Sequence, residues 1–429
     1  MMIPSIDIQA GKTVQLIGGK ELAIEAGDPK PLAEKFGRVG EIAVIDLDAA
    51  MSTGSNADLI SEVLPLARCR VGGGIRDVEA AIKWLDAGAA KVILGTAARP
   101  EILSQLPKER VVVALDAVHD VETGEGVVVD QGWQNRTGDS VLERMESLSD
   151  LAGGFMVTFV EREGQMTGID QKTIAKYLAA AGDTELTVAG GVAQEEEIAE
   201  LDAIGIDAQI GMALYTGKIS LAAGICCSLK SDREDQLWPT IVEDVSGQTL
   251  GLVYSNQESV HQSLETGVAH YWSRRRGLWK KGETSGDTQL FRSVQVDCDR
   301  DALRFVVQQQ GRGFCHLDQP TCFGERFGIR KLQQTLQTRV QDAPSGSYSR
   351  RLLEDTVLLN AKIIEEAREL TEADSPDEVI HEAADVLYFM MTKLASHGIK
   401  LDQVEAELDR RSLKVTRRSG DAKPELSQP

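Results

Sequence analysis

Apolar residues come in short bursts through the first half of the chain. The runs IPSIDI, IAVIDLD, CRVGGGI, KVILGTA, RVVVALDA, GFMVTFV, LTVAGGV and AQIGMAL have the length and β-branched content of buried strands. Between them lie stretches such as VEAAIKWLDAG and TIAKYLAAAG, whose apolar positions recur at helical spacing. Eight such β/α units predict a closed TIM (β/α)8 barrel over residues 1–230; a doubly wound sheet is the alternative. Farther on, Val296 to Phe305 alternates polar and apolar positions, which predicts a strand. Beyond Arg330 the period turns helical, with helices expected over Leu352 to Leu370, Asp377 to Ser396 and Leu401 to Arg411. The chain thus reads as multidomain. A polar linker, Ser228 to Gln236, leads from the barrel into a central α+β domain, residues 231–325. A junction near Glu325 to Arg330 leads into an all-α helical bundle, residues 326–415, and a polar tail, 416–429, expected to be mobile.

Charge narrows the partners. The 429 residues hold 46 Lys and Arg against 67 Asp and Glu, a net charge of −21, which disfavours nucleic acid and anionic membrane. Small phosphorylated substrates remain open, because local basic loops can invert the field. No apolar run is long enough to span a membrane, and MMIPSIDIQAGK lacks the basic and apolar regions of a signal peptide. With its Cys read as metal ligands, the protein is expected to be cytoplasmic, where thiols stay reduced.

The barrel half repeats itself. Gly72-Gly73-Gly74 is echoed by Gly190-Gly191, Gly95-Thr96-Ala97 by Gly211-Met212-Ala213, and Asp7 by Asp116. Glycines after barrel strands let backbone N–H groups approach a phosphate, so two such sites suit a substrate with two phosphate ends. Two Asp at the ends of opposite strands can serve as acid and base. Taken singly, the glycine pairs are also what tight turns need, and the Asp what helix caps need.

The central domain concentrates metal-ligand chemistry. Asp297, Asp299 and Asp301 would share one strand face, and oxygen-only ligands suit Mg²⁺. Cys298 would face the other way, with Cys315 and Cys322 following and His316 beside Cys315. Three thiolates would hold Zn²⁺ and leave its fourth position to water. The preceding loop, SRRRGLWKKGETSG, sets basic residues among Gly, Ser and Thr, a composition that suits phosphate oxygens. In the bundle, Glu365, Glu366 and Glu369 on one helix and Glu382 and Asp385 on the next interleave with apolar positions. Carboxylates turned toward an interior need a cation, which suggests Mg²⁺ with a phosphate chain as ligand.

These pieces resemble three families. HYWSRRRGLWKKGETSG, DCDRDA and CH followed by TCF resemble phosphoribosyl-AMP cyclohydrolase, which opens the adenine ring of its substrate with water. The resemblance implies Zn²⁺ on Cys298, Cys315 and Cys322, Mg²⁺ on Asp297, Asp299 and Asp301, and a homodimer that shares zinc ligands. It also implies catalytic work for His316 and substrate contacts from Arg274, Arg276, Trp279, Lys281, Glu283 and Ser285. IPSIDIQAGKTVQL, VGGGIRD, VVVALDA, QGW and GMALYTGKI resemble the isomerase of histidine biosynthesis that converts an aminoaldose bisphosphate to an aminoketose. This implies Asp7 and Asp116 as the catalytic pair, Thr158 beside the substrate, and phosphate on Gly73, Gly74, Gly95, Thr96, Gly190, Gly191 and Gly211. Gln15 stands where that family usually has Arg, Ala49 replaces a Gly, Phe159 replaces an acid, and Glu163 replaces an Asp. SYSRRLL, KIIEEARELTEA and HEAADVLYF resemble phosphoribosyl-ATP pyrophosphatase, which implies Glu366 as a catalytic residue among the Mg²⁺ ligands. Phe389 stands where many bacterial members have His. The expected function is three consecutive steps of histidine biosynthesis. The rivals are a barrel kept for structure or regulation, and a bundle kept only for dimerisation.

Overall fold

The computed structural model describes residues 1–119, 125–130, 133, 135–324, 327–417 and 420. Gln131 and Gly132 of the QGW stretch, Glu325 of the second junction and most of the tail from Arg418 lie outside them. The chain forms two compact units. The first holds Met1–Asp244, Gly251–Gly313 and the stretch from Leu413; the second holds Val245–Leu250 and Phe314–Ser412.

Each of the eight apolar runs is a strand: β1 Met2–Gln9, β2 Ile42–Asp46, β3 Cys69–Gly72, β4 Lys91–Leu94, β5 Val111–His119, β6 Gly154–Phe159, β7 Glu185–Ala189 and β8 Ile206–Ile210. Each pairs in parallel with the next, and β8 returns to β1 with Met2 opposite Ala208, so the barrel closes. The stretches between fold as their period requires. VEAAIKWLDA forms Val78–Ala87, started by the Asp77 side chain accepting from Ala80 N and stopped by Gly88 at φ 113°. Two hairpins, 12–27 after β1 and 126–140 after β5, are additions to the expected pattern.

The rest of the first unit is a four-stranded sheet: β9 Trp238–Asp244, β10 Thr249–Ser255, β13 Gln289–Val296 and β14 Leu303–Gln309, in the order β10-β9-β14-β13. A small hairpin, β11 His270–Ser273 and β12 Gly277–Lys280, precedes β13. Its core is aromatic: Tyr271, Phe291 and Phe305 are fully buried, with the two Phe rings edge-on at 4.9 Å. The strand expected over Val296 to Phe305 is not one strand. β13 ends at Val296, residues 297–302 turn, and β14 starts at Leu303. An Asp-rich run offers no apolar face to bury, and Arg300 takes a left-handed backbone, φ 67°, that a strand cannot hold. The barrel is linked to the helix that follows β10, Gln257–Thr266, by polar contacts, among them Arg38 Nη1 to Leu264 O at 2.6 Å and Lys35 to Glu265 at 2.7 Å.

The second unit is helical: α3 Ile329–Asp342, α4 Tyr348–Glu354, α5 Thr356–Glu372, α6 Pro376–Ser396 and α7 Leu401–Ser412, where α1 Glu195–Ala203 and α2 Gln257–Thr266 belong to the first. The helix expected over Leu352 to Leu370 breaks at Asp355, whose extended backbone ends α4 and whose side chain caps α5 by accepting from Leu358 N at 2.9 Å. Leu336, Met391, Ala395 and Leu401 form one buried cluster, Leu352, Leu359 and Phe389 another. Past α7 the chain rejoins the first unit: Val415 N and Thr416 N donate to Asp86 Oδ1, and Arg110 donates to Leu413 O. No helix among the described residues is long and apolar enough to cross a membrane.

Candidate active sites

The barrel mouth gathers three carboxyl groups. Asp7 lies in the C-terminal half of β1 and Asp116 in that of β5, four strands round the ring. Ser5 Oγ donates to Asp7 at 2.9 Å, but burial outweighs that bond and pushes the Asp7 carboxyl up to about 6. Thr158 sits opposite Asp116 in the β5–β6 register and hydrogen-bonds its carboxyl; the Trp133 indole N–H donates to Asp116 Oδ2 at 2.9 Å. Burial still leaves Asp116 above the usual carboxylate range. The third group is Glu163, known from the sequence only as a substitution. Burial and the nearby charges of Asp7 and Asp116 push it up to about 8. The sequence shows it only as a carboxyl in place of a carboxyl, with nothing to say that it faces the pair.

The two halves of the glycine repeat are built differently. Gly73 and Gly74 have φ of 94° and 70°, Gly190 and Gly191 of 82° and 99°, conformations that side chains resist. A Cβ on Gly73 would come within 2.2 Å of Asp46 O, and one on Gly190 within 2.7 Å of Phe159 O, so both pairs also serve close backbone packing. Gly95, next to Thr96, is exposed with open space where a side chain would be. Its counterpart Gly211 is covered: a Cβ there would sit 2.3 Å from Gln15 Oε1, and the buried Gln15 amide donates back to Val14 O. Phe159 is buried and stacks on His119 at 4.1 Å.

In the central domain the turn 297–302 does what a strand face was expected to do. Asp297, Asp299 and Asp301 each offer an oxygen within 4.8 Å of the others, a spacing that fits one cation. Asp297 Oδ1 shapes the turn by accepting from Asp301 N and Ala302 N. Arg274 and Arg276 are exposed at the β11–β12 tip, their guanidinium groups over the rings of Tyr254 and Trp279 at 5.0 and 5.2 Å. Lys281 turns inward and donates to Asp287 O, while Glu283 and Ser285 are exposed on the following loop. Cys298 is exposed in the first unit; Cys315, half-buried, and Cys322, exposed, belong to the second, as does the exposed His316.

The bundle brings together three of its five candidate acids. Glu366 on α5 and Glu382 and Asp385 on α6 converge within 4.8 Å. Glu382 Oε2 is buried with no hydrogen-bond partner, an orphaned acceptor that a cation would satisfy. Lys362 Nζ donates to Glu366 at 2.6 Å and to Glu365 at 3.0 Å. Glu365 is half exposed and outside the trio. Glu369 stands at its rim, its carboxyl raised by burial and then by Glu366 and Glu382. Phe389 is buried in the bundle core, with the Lys362 ammonium 5.4 Å from its ring centre.

Comparison with known proteins follows the same division. Residues 1–220 match the family model described as histidine biosynthesis protein, 251–324 that of phosphoribosyl-AMP cyclohydrolase, and 329–412 that of phosphoribosyl-ATP pyrophosphohydrolase. A histidine biosynthesis trifunctional protein of Neurospora crassa is 40% identical over 339 residues, 73% of this chain and 38% of the relative. The bifunctional protein his7 of Schizosaccharomyces pombe is 51% identical over 206 residues, 48% of this chain and 49% of the relative. The bifunctional protein HisIE of Parasynechococcus marenigrum is 38% identical over 198 residues, 41% of this chain and 89% of the relative. The chain spans half or less of the length of these fungal relatives. With a family match over residues 1–220 and 89% of a bacterial relative covered, the chain belongs to the histidine biosynthesis protein family, its barrel followed by a cyclohydrolase segment and a pyrophosphohydrolase segment.

Proposed function

We propose that the chain carries three consecutive steps of histidine biosynthesis, in reverse order along the sequence. The bundle cleaves phosphoribosyl-ATP to phosphoribosyl-AMP and pyrophosphate. The central domain adds water to the adenine ring of phosphoribosyl-AMP and opens it. The barrel isomerises the resulting aminoaldose to the aminoketose. The observation that carries this reading is the pair of carboxylate trios, one in the cyclohydrolase segment and one in the pyrophosphohydrolase segment.

Asp297, Asp299 and Asp301 would hold one Mg²⁺, and Glu366, Glu382 and Asp385 another, with Glu365 and Glu369 at the edge. Cys298, Cys315 and Cys322 would hold Zn²⁺, with the dimer of the resemblance supplying thiols from two copies. Bound there, Mg²⁺ supplies charge neutralisation for phosphate oxygens and Zn²⁺ an acidified water. The chain's own residues do the rest. Lys362 gives Glu366 a counter-charge to exchange, and Arg274 and Arg276 present a basic tip to phosphates. In the barrel, opening the sugar ring needs a proton on the ring oxygen, and moving the hydrogen from C2 needs a base. Asp7, near 6, and Asp116 form a pair able to give and take at neutral pH.

A second reading, a barrel without catalysis, is favoured by Gln15 covering Gly211 where a phosphate would bind. One experiment addresses both. Full-length protein with Mg²⁺ and Zn²⁺ receives phosphoribosyl-ATP, and products are separated over time. Pyrophosphate and the ketose should appear together. Glu366→Gln should slow pyrophosphate release by orders of magnitude while phosphoribosyl-AMP is still hydrolysed, and Asp7→Asn should stop at the aminoaldose. Accumulation of aminoaldose by the parent protein would establish the second reading for the barrel, and pyrophosphate release unchanged in Glu366→Gln would remove the bundle site.

A further inference from the structure

The turn that carries Asp297, Asp299 and Asp301 is gripped from outside its own domain. Arg300, set among those acids, does not pair with their side chains. Its Nε and Nη2 each donate at 2.8 Å to the two oxygens of Asp202 on barrel helix α1. This is the two-pronged geometry in which guanidinium and carboxylate bind most directionally. The same guanidinium donates through Nη1 to Asp297 O at 3.0 Å, and Arg300 O accepts from Lys230 N at 2.7 Å. Asp202 is 6% exposed and the Arg300 side chain 25%, so the clamp is partly shielded from water; Asp202 also pairs with the Met1 amino group at 3.0 Å. Its place matters because the turn is costly. Arg300 holds φ 67°, and three carboxylates meet within 4.8 Å. The bonds from Asp301 N and Ala302 N to Asp297 fix one side of the turn; the Arg300 fork fixes the other.

We propose that Asp202 is a positioning residue for the cation site of the acidic turn: through Arg300 it holds the turn in the kinked form that brings the three carboxylates together. The barrel thereby serves the neighbouring hydrolase whether or not it has an activity of its own. The proposal rests on the reading of the turn as a cation site. Partners that orient ligand groups from behind change metal affinity by about 10- to 100-fold when removed.

The test measures Mn²⁺ affinity of full-length protein directly, by titration without substrate, in a Glu366→Gln/Glu382→Gln background that weakens the bundle site. Asp297→Asn comes first. If it leaves the affinity unchanged, the turn is not the cation site, and the reading beneath the proposal fails. Given a loss there, Asp202→Asn should weaken Mn²⁺ binding about tenfold. Phosphoribosyl-AMP hydrolysis should recover its parent kcat at saturating Mg²⁺, since only positioning is lost. Asp202→Glu should restore part of the affinity. Glu265→Gln, which removes a different ion pair between barrel and central domain, should change nothing. If Asp202→Asn does not fold, Arg300→Lys, one prong in place of two, should show the same loss. Affinity within twofold of the background in folded Asp202→Asn, or in folded Arg300→Lys when Asp202→Asn cannot be made, overturns the proposal. Equal losses in Glu265→Gln and Asp202→Asn overturn it too, by showing general loosening.

Discussion

At the scale of single residues, Glu163 has the sharpest consequence. Its folded value near 8 lies above the ordinary 4.5, so folding takes up a proton across that interval. A raised carboxyl is easiest to bury when protonated; stability is therefore full below about 4.5 and falls as pH climbs toward 8. Glu163→Gln should leave the unfolding free energy at pH 4 unchanged and raise it progressively up to pH 8, by on the order of 4 kcal/mol at the top of the range. Chemical denaturation at several pH values checks this, and equal gains at pH 4 and pH 8 would show that Glu163 does not titrate in the barrel. The sequence shows Glu163 only as an acid in place of an acid. What makes it significant is its distance from Asp7 and Asp116, residues far away along the chain, and no local pattern carries that.

At the scale of elements, burial decides what is legible. The eight barrel runs can be read because each strand is closed in on both faces and so is nearly continuously apolar. The alternation around DCDRDA misleads because the positions alternating with the Asp residues hold only Cys298, Arg300 and Ala302, too little apolar surface to bury a strand face, and a turn satisfies the polar groups as well as a strand does. The five acids of the bundle are legible as a group, but which of them converge depends on how α5 and α6 rotate against each other. The break at Asp355 carries a cap signal: an Asp just ahead of the apolar run Val357, Leu358 and Leu359. Asp355→Ala should strip Leu358 N of its acceptor and cost the bundle about 1 kcal/mol, seen as an earlier urea midpoint. Since Glu366 lies three turns farther along α5, its cation affinity should stay as it was; a matching loss of affinity would mean the whole helix shifts.

At the scale of the molecule, Cys298 belongs to one compact unit and Cys315 and Cys322 to the other. Cys298→Ser should take zinc content from about one per chain to near none and abolish ring opening, because two thiolates are too few for a stable site. Full zinc occupancy by metal analysis in that variant would exclude Cys298. The return of residues 413–416 to the first unit bears on synthesis. A chain cut after Ser412 keeps every residue that the three family models match, yet loses the groups bonded to Asp86 and Arg110. Each lost bond is worth about 1 kcal/mol, so the first unit should melt measurably earlier in the cut chain. Domains otherwise tend to fold as they leave the ribosome, N-terminal first. Here the barrel is made before the helical unit and fastened after it, so a nascent chain stalled within α7 carries a barrel that still waits for the strap of residues 413–416.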